Sequence, residues 1–207
     1  MHQDELLAEA ERRGNTYKLL SACYQTPDEE LVSLLADVES ADWRLDADQI
    51  HDQVPEDLES LRVDYAKLFV GPFEVLAPPY GSVYLENADR VMTESTIDVM
   101  NRYQSVGLDT EIDEPADHVA AELEFMYALI VREVEAIAND EYETAREYLE
   151  RQRSFLHDHL GAWIDDFTAA VEENTETAFY EHLARETNAF VGRDGDRIAN
   201  RISVLED

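Results

Sequence analysis

The sequence predicts an all-α, single-domain helical bundle. Three observations carry that prediction. Apolar residues recur at the three-to-four-residue period of a helix in nearly every segment. No stretch alternates apolar and polar residues as a half-buried strand does. The 207 residues, 44% of them apolar, suffice for one sizeable core. The single domain is expected to occupy residues 1–207, with its core over about 5–191 and a weaker, frayed tail over 192–207.

The elements follow in order. Residues 4–24 place Leu6, Leu7, Ala10, Tyr17, Leu20 and Tyr24 on one stripe. Thr26-Pro27-Asp28-Glu29 reads as a helix start, with Thr26 as N-cap, Pro27 in the first turn and Glu29 closing a capping box. The helix behind it buries Leu31, Leu34, Leu35 and Val38, and residues 40–54 around Trp43 are polar and loop-like. Pro55 opens the next helix, with Leu58, Leu61, Tyr65, Leu68 and Phe69 inward, and Gly71-Pro72 ends it. Residues 71–82 form one long apolar loop, and a helix over 93–106 turns Ile97, Met100 and Tyr103 inward before Gly107 stops it. An acidic linker, 108–114, leads to Pro115, which starts the most strongly patterned helix: Val119, Leu123, Met126, Ile130, Val134 and Ile137. Further helices cover about 140–153, 155–172 and 177–191.

Charge narrows the function classes. Asp and Glu number 48 against 16 Lys and Arg, a net charge of -32, and Lys18 and Lys67 are the only lysines. The acids are spread along the chain rather than gathered in a tail, a pattern that fits a solvated surface adapted to high salt, where self-repulsion is screened. With no basic stripe, nucleic-acid binding is excluded as a main role. The lone cysteine, Cys23, reads as a small buried apolar residue and agrees with a reducing compartment. No run of 18 apolar residues predicts a membrane span. The start, MHQDELLAEAERRGN, is acidic and lacks an apolar core segment, so Arg12-Arg13 is taken as part of an amphipathic helix and the protein is expected in the cytoplasm.

Three constellations could carry chemistry. The first is Ala77-Pro78-Pro79-Tyr80-Gly81-Ser82-Val83-Tyr84-Leu85, where two prolines stiffen the chain, Gly81 can take a backbone angle closed to other residues, and Tyr80 and Tyr84 add wide faces with polar tips. By itself it reads first as a loop whose aromatics cap the core. The second is Glu114-Pro115-Ala116-Asp117-His118 with Glu122, which puts His118 and Glu122 four apart on one helix face, where the carboxylate favours a charged imidazole. By itself this reads first as an acidic first turn with an ordinary i,i+4 pair. The third is His157-Asp158-His159 with Trp163; its histidines diverge along a helix, so one is expected exposed and the other packed. Enzyme signatures are sparse. No histidine has Glu three residues before it, and HExxH, GxxxxGK[ST] and GxSxG are absent.

The runs YAKLFVGPFEVLAPPYGSVYLE, EPADHVAAELEFMYAL and FLHDHLGAW, in this order and spacing, resemble the TorD/DmsD/NarJ family of redox-enzyme maturation chaperones, most densely over 61–130 and closest to the DmsD/TorD branch. The resemblance implies an all-helical, non-enzymatic chaperone that binds the twin-arginine signal peptide of a molybdopterin oxidoreductase catalytic subunit precursor and holds it until cofactor insertion. It implies a monomer or a domain-swapped homodimer and no resident cofactor, although some members bind GTP weakly. It places the peptide-binding face on Tyr80, Gly81, Ser82, Tyr84, Glu114, Pro115, Asp117, His118 and Glu122, with Tyr65, Leu68 and Phe69 lining the groove between them. Two departures stand out: tyrosines occupy the loop where members often carry Trp, and Ala162 replaces the proline that usually precedes Trp163. On this reading Glu114, Asp117 and Glu122 supply acids for guanidinium groups, and the tyrosines with Leu68 and Phe69 an apolar groove. The competing reading is a metal-dependent enzyme using His118, Glu122 and a histidine from 157–159. A third is a structural subunit of a reductase complex.

Overall fold

The computed structural model describes residues 3–37, 58–72, 74–86, 93–108, 112 and 114–206. Within them the chain forms α1 (Gln3–Cys23), α2 (Glu29–Asp37), α3 (Leu58–Tyr65) running into a π-helical turn (Ala66–Val70), α4 (Gly81–Glu86), α5 (Glu94–Ser105), α6 (Val119–Ala138), α7 (Tyr142–Asp158), α8 (Leu160–Asn174) and α9 (Ala178–Glu206). The predicted all-α class holds. Among the described residues the only β contact is an isolated antiparallel bridge between Tyr80 and His118. The expectations for Val38, the segment around Trp43 and the Pro55 helix start lie outside the described residues.

The centre of the bundle is α6, whose apolar stripe (Val119, Leu123, Met126, Ile130 and Ile137) is buried. It packs chiefly against α1 and α7, while α7, α8 and α9 pack on one another. Aromatic side chains weld α1, α3, α8 and α9 together. Phe69 meets Tyr24, Tyr65, Phe167 and Tyr180 at centroid distances of 5.2 to 6.1 Å. Such edge-on and tilted contacts add to area burial in fixing the geometry. Cys23 is buried and free, and burial pushes its thiol up to about 12.

Several local expectations are corrected. The cap of α2 is Asp28, not Thr26: its carboxylate accepts the Leu31 N–H at 2.9 Å, so the helix begins two residues later than the Thr26 reading had it. On α5 the buried face is Thr96, Val99 and Tyr103, and Ile97 and Met100 are exposed. Thr93 and Thr96 form the capping box. Gly107 does end α5's turn, with φ +74°. The tail is not frayed: α9 runs to Glu206, and Asp194, Ile198, Arg201 and Ile202 are buried.

What holds the tail is a polar cluster in the bundle interior. Arg13 of α1 donates through Nε to Asp194 Oδ1 at 2.8 Å, and through Nη2 to Asp194 Oδ2 at 3.0 Å and Gln152 Oε1 at 2.8 Å. Glu133 of α6 accepts from Arg13 Nη1 at 3.3 Å, Gln152 Nε2 at 2.9 Å and Arg201 Nε at 3.0 Å. Burial alone would lower the Arg13 pKa, but Asp194 more than offsets this and keeps the guanidinium charged. Arg12, its neighbour, stays at the surface and pairs with Glu9.

The break between α7 and α8 falls at His159, and no proline is needed for it. His159 has φ -130° and ψ -106°, outside the helical region. A Cβ on Gly161 would stand 2.5 Å from the Leu156 carbonyl oxygen, so the corner requires glycine there. Ala162, at the position where the resemblance expects proline, donates its N–H to the His159 carbonyl at 2.7 Å, a bond proline cannot make.

Candidate functional site

The loop and the acidic motif meet. Gly71, at φ +90°, ends the π-helical turn, and the chain folds back so that the Ala77 N–H reaches the Leu68 carbonyl at 2.8 Å. The backbone of Pro79–Ser82 is then stapled to residues 117–119. The Val119 N–H donates to the Pro79 carbonyl and the Gly81 N–H to the Asp117 carbonyl, both at 2.8 Å, and the Ser82 N–H donates to Asp117 Oδ2 at 3.0 Å. Three bonds and two prolines hold this corner in one shape.

His118 is the N-cap of α6 and not its second turn: φ is -69°, ψ is 139°, and its Nδ1 accepts the Ala120 N–H at 3.1 Å. The helix thus starts four residues after Pro115, and the expected His118–Glu122 pair does not form. The expected charged imidazole is overturned as well. Burial lowers the His118 pKa to about 4 against the modest pull of Asp117, so the ring is neutral at neutral pH. Its edge packs on Tyr80, centroids 5.3 Å apart. Stability contributed by a depressed histidine is complete above its unfolded value of 6.5 and is lost as pH falls through about 4. The shift corresponds to roughly 3 kcal/mol at most. Thermal unfolding from pH 7 to 4 is therefore expected to fall more steeply for the wild type than for His118→Asn, which retains a capping oxygen. Parallel curves would show the ring is not held neutral.

Glu122, on the next turn, is fully buried. Its Oε2 accepts the Trp163 Nε1–H at 3.0 Å, and its Oε1 has no partner among the described residues. Burial raises its pKa well above the ordinary carboxyl range, with the Trp163 bond opposing. Trp163 also stacks on Tyr84 (5.5 Å, 17°) and lies under Gly81, where a Cβ would come within 2.9 Å of Nε1. Gly81 is therefore required for close approach and not for an unusual backbone angle; the positive-φ glycines are Gly71 and Gly107.

The predicted residues thus come together, but in two layers. Outward are Glu114, exposed, and Tyr80 and Pro115, half-buried; the Tyr80 hydroxyl donates to Glu114 Oε2 at 3.1 Å. Burial and then Glu114 push the Tyr80 phenol up to about 12, so it remains a donor. Tyr84 is half-buried. Inward are Gly81, Ser82, Asp117, His118 and Glu122, with Tyr65, Leu68 and Phe69 as floor and not as accessible lining. Asp117 and Glu122 present no free acid to solvent, because one caps Ser82 and the other faces Trp163.

Two contributors were not found from the sequence. Asp64, one residue before Tyr65, is buried and accepts from Thr175 Oγ1 and Thr177 Oγ1, both at 2.7 Å, and from the Thr177 N–H at 3.0 Å. It pins α3 to the start of α9. Trp163 was noted beside the histidines, but its partner is Glu122. His157 is exposed and His159 buried, as expected; His159 Nε2 lies 2.6 Å from Asp98 Oδ2. The metal-site reading finds no geometry to use: His118, Glu122 and His159 each face a different partner. Among the described residues no three His, Cys, Asp or Glu side chains come together as a metal site. No helix among them is long and apolar enough to cross a membrane.

The family description "Nitrate reductase delta subunit" matches residues 28–169, well over half of the chain and including both motifs. The chain belongs to that family. Within the nitrate reductase delta subunit family it is similar to the chaperone protein TorD of Aliivibrio fischeri, 30% identical over 123 residues, 58% of this chain and 55% of that protein. It is also similar to the chaperone protein TorD of Vibrio vulnificus strain YJ016, 30% identical over 138 residues, 66% of this chain and 63% of that protein. The chain thus spans less than two thirds of the length of these curated relatives. A crystal structure from Archaeoglobus fulgidus, described as that of a redox enzyme maturation protein, superposes with TM-score 0.60 and 28% identity over 87% of this chain and 93% of its own. The relatives carry names of chaperones and maturation proteins, not of enzymes.

Proposed function

We propose that this protein is a molybdoenzyme-maturation chaperone of the cytoplasm. It binds the twin-arginine signal peptide of a molybdopterin oxidoreductase catalytic subunit precursor, of the DMSO- or TMAO-reductase kind, and holds it before export. The observation that carries the reading is the corner where the proline-rich loop is stapled to the start of α6. That corner sets an aromatic face, Tyr80, beside an exposed carboxylate, Glu114, on a rigid floor. A signal peptide of this class offers the complementary pair, guanidinium groups followed by an apolar helix-forming stretch. The similarity to TorD chaperones points to the same class of client.

A net charge of -32 contributes little to steering the peptide in molar salt, where the Debye length is about 3 Å. Affinity then rests on contact. Covering on the order of 80 Å² of the Tyr80 ring is worth about 2 kcal/mol at roughly 25 cal/mol per Å². Tyr80→Ala is therefore expected to weaken a synthetic twin-arginine peptide about thirtyfold in molar KCl. Unchanged affinity would remove Tyr80 from the site. For the reading as a whole, the test is capture from a high-salt lysate of the native host. Recovery of a reductase precursor with its signal peptide attached supports it; recovery of the mature exported enzyme instead favours a structural subunit.

A further inference from the structure

A pocket of about 390 Å³ opens between α1 and α9, and none of its residues belongs to the corner described above. Its α9 wall is Arg197, Asn200, Arg201 and Val204, a spacing that puts all four on one helix face. Its α1 wall is Glu5, Glu9 and Arg12, again one face.

The α9 wall carries a positive charge that no carboxylate answers. Behind it, Arg13 and Arg201 balance Glu133 and Asp194 in the dry cluster, and both Asp194 oxygens are already used, by Arg13 and the Tyr17 hydroxyl. Arg197 adds a third guanidinium, on a side chain only 24% exposed. It meets Asp194 Oδ1 at 3.9 Å, too long for a hydrogen bond, and lies over the Phe190 ring at 5.7 Å. Its Nη1 is buried without a partner among the described residues, and so is the Nη1 of Arg201. Buried donors without acceptors are uncommon. They are more unexpected in a chain with 48 acidic and 16 basic residues, where carboxylates are plentiful. The two atoms mark a cluster that is one anion short.

The α1 wall sets the charge of what can fill it. Arg12 donates to Glu9 at 3.2 Å, and Glu5 is exposed beside them. Two carboxylates against one guanidinium penalise a second negative charge in the pocket, while the α9 wall answers the first. Val204, 40% exposed, adds an apolar surface.

We propose that this pocket binds a small monocarboxylate with a short aliphatic body. Arg197 takes the carboxylate in its planar fork, the exposed amide of Asn200 adds a donor, and Val204 covers the aliphatic carbons. The bound anion supplies, at close range, the charge that Arg13, Arg197 and Arg201 together lack. It also ties α9 to α1, so the occupied pocket secures the C-terminal helix. The site is independent of the peptide-binding reading.

The test follows the Arg197 Nε–H signal in nitrogen–proton correlation spectra of the full chain in molar KCl, the signal being identified by its absence from Arg197→Gln. Potassium butyrate, acetate and sulfate are titrated in turn at constant ionic strength. Butyrate is expected to shift the signal saturably. Acetate should bind several-fold more weakly, because it leaves Val204 uncovered, and sulfate about tenfold more weakly or worse, because it brings a second charge. In Arg197→Gln the backbone signals of Asn200 and Val204 should need about tenfold more butyrate, the scale of one charge-assisted bond. Arg197 donates no hydrogen bond to the dry cluster, so the variant should fold, and the wild-type titrations decide the question regardless. Shifts that grow without saturating, or unchanged butyrate affinity in Arg197→Gln, overturn the proposal. Sulfate binding as tightly as butyrate overturns the choice of ligand, and a signal that follows KCl but ignores butyrate replaces it with a chloride site.

Discussion

Asp194→Ala is expected to lower stability by roughly 3–5 kcal/mol, the usual consequence of leaving one partner of a buried ion pair uncompensated. Arg13, at 0% exposure, would lose both bonds to that carboxylate, and the Tyr17 hydroxyl, which donates to Asp194 Oδ2 at 3.0 Å, would lose its acceptor. For a chain of this size the melting temperature should fall by about 10–15 °C. The loss should persist in molar salt, because a dry cluster is screened far less than surface pairs. Replacing Arg13 by Met and Asp194 by Leu together should recover only part of the loss, since the unpaired charge is gone but Gln152 Oε1 and the Tyr17 hydroxyl stay without partners. A fall under about 1 kcal/mol in the single variant would show that the cluster does not anchor α9.

Asp64→Ala should act on both stability and function. Removing the carboxylate abolishes charge-assisted bonds from Thr175, Thr177 and the Glu176 N–H (3.2 Å), each worth roughly 1.5–3 kcal/mol but not additive. A total of about 3 kcal/mol is expected in chemical denaturation. The functional effect follows from position. Asp64 immediately precedes Tyr65, whose ring packs on Phe69 at 5.2 Å in the floor below the Tyr80 corner. Once α3 is freed from α9, that floor loosens, and a twin-arginine peptide should bind several-fold more weakly in the folded fraction. Lost stability with unchanged peptide affinity would confine Asp64 to the bundle seam.

The candidate-site residues were legible to different depths. Tyr80 and Glu114 could be read because both belong to short strings with restricted backbones, and their outward position follows from the loop. Asp117, Ser82 and Gly81 were legible as members of the site but not in their roles: the first caps, the second is capped, and the third makes room for Trp163. His118 was placed one turn too deep in its helix. Pro115 is an ordinary helix starter, but residues 117–119 are bonded to the Pro79–Ser82 backbone and His118 caps the helix, so α6 starts at Val119.

Sequence by itself determined the helical class, the positions of most helices and the two motifs that meet, because helical period and turn chemistry are local properties carried by neighbouring residues. It also showed that the C-terminal tail carries the weaker apolar pattern. The tertiary structure alone decided that this tail is integral, since Arg13, Glu133, Gln152, Asp194 and Arg201 come from four helices and their mutual neutralisation has no local signature. It likewise decided which acids face water. Glu114 and Glu122 are the same residue type eight positions apart. One is exposed and the other dry under Gly81, because burial is set by what packs above a side chain and not by the residues beside it in the chain.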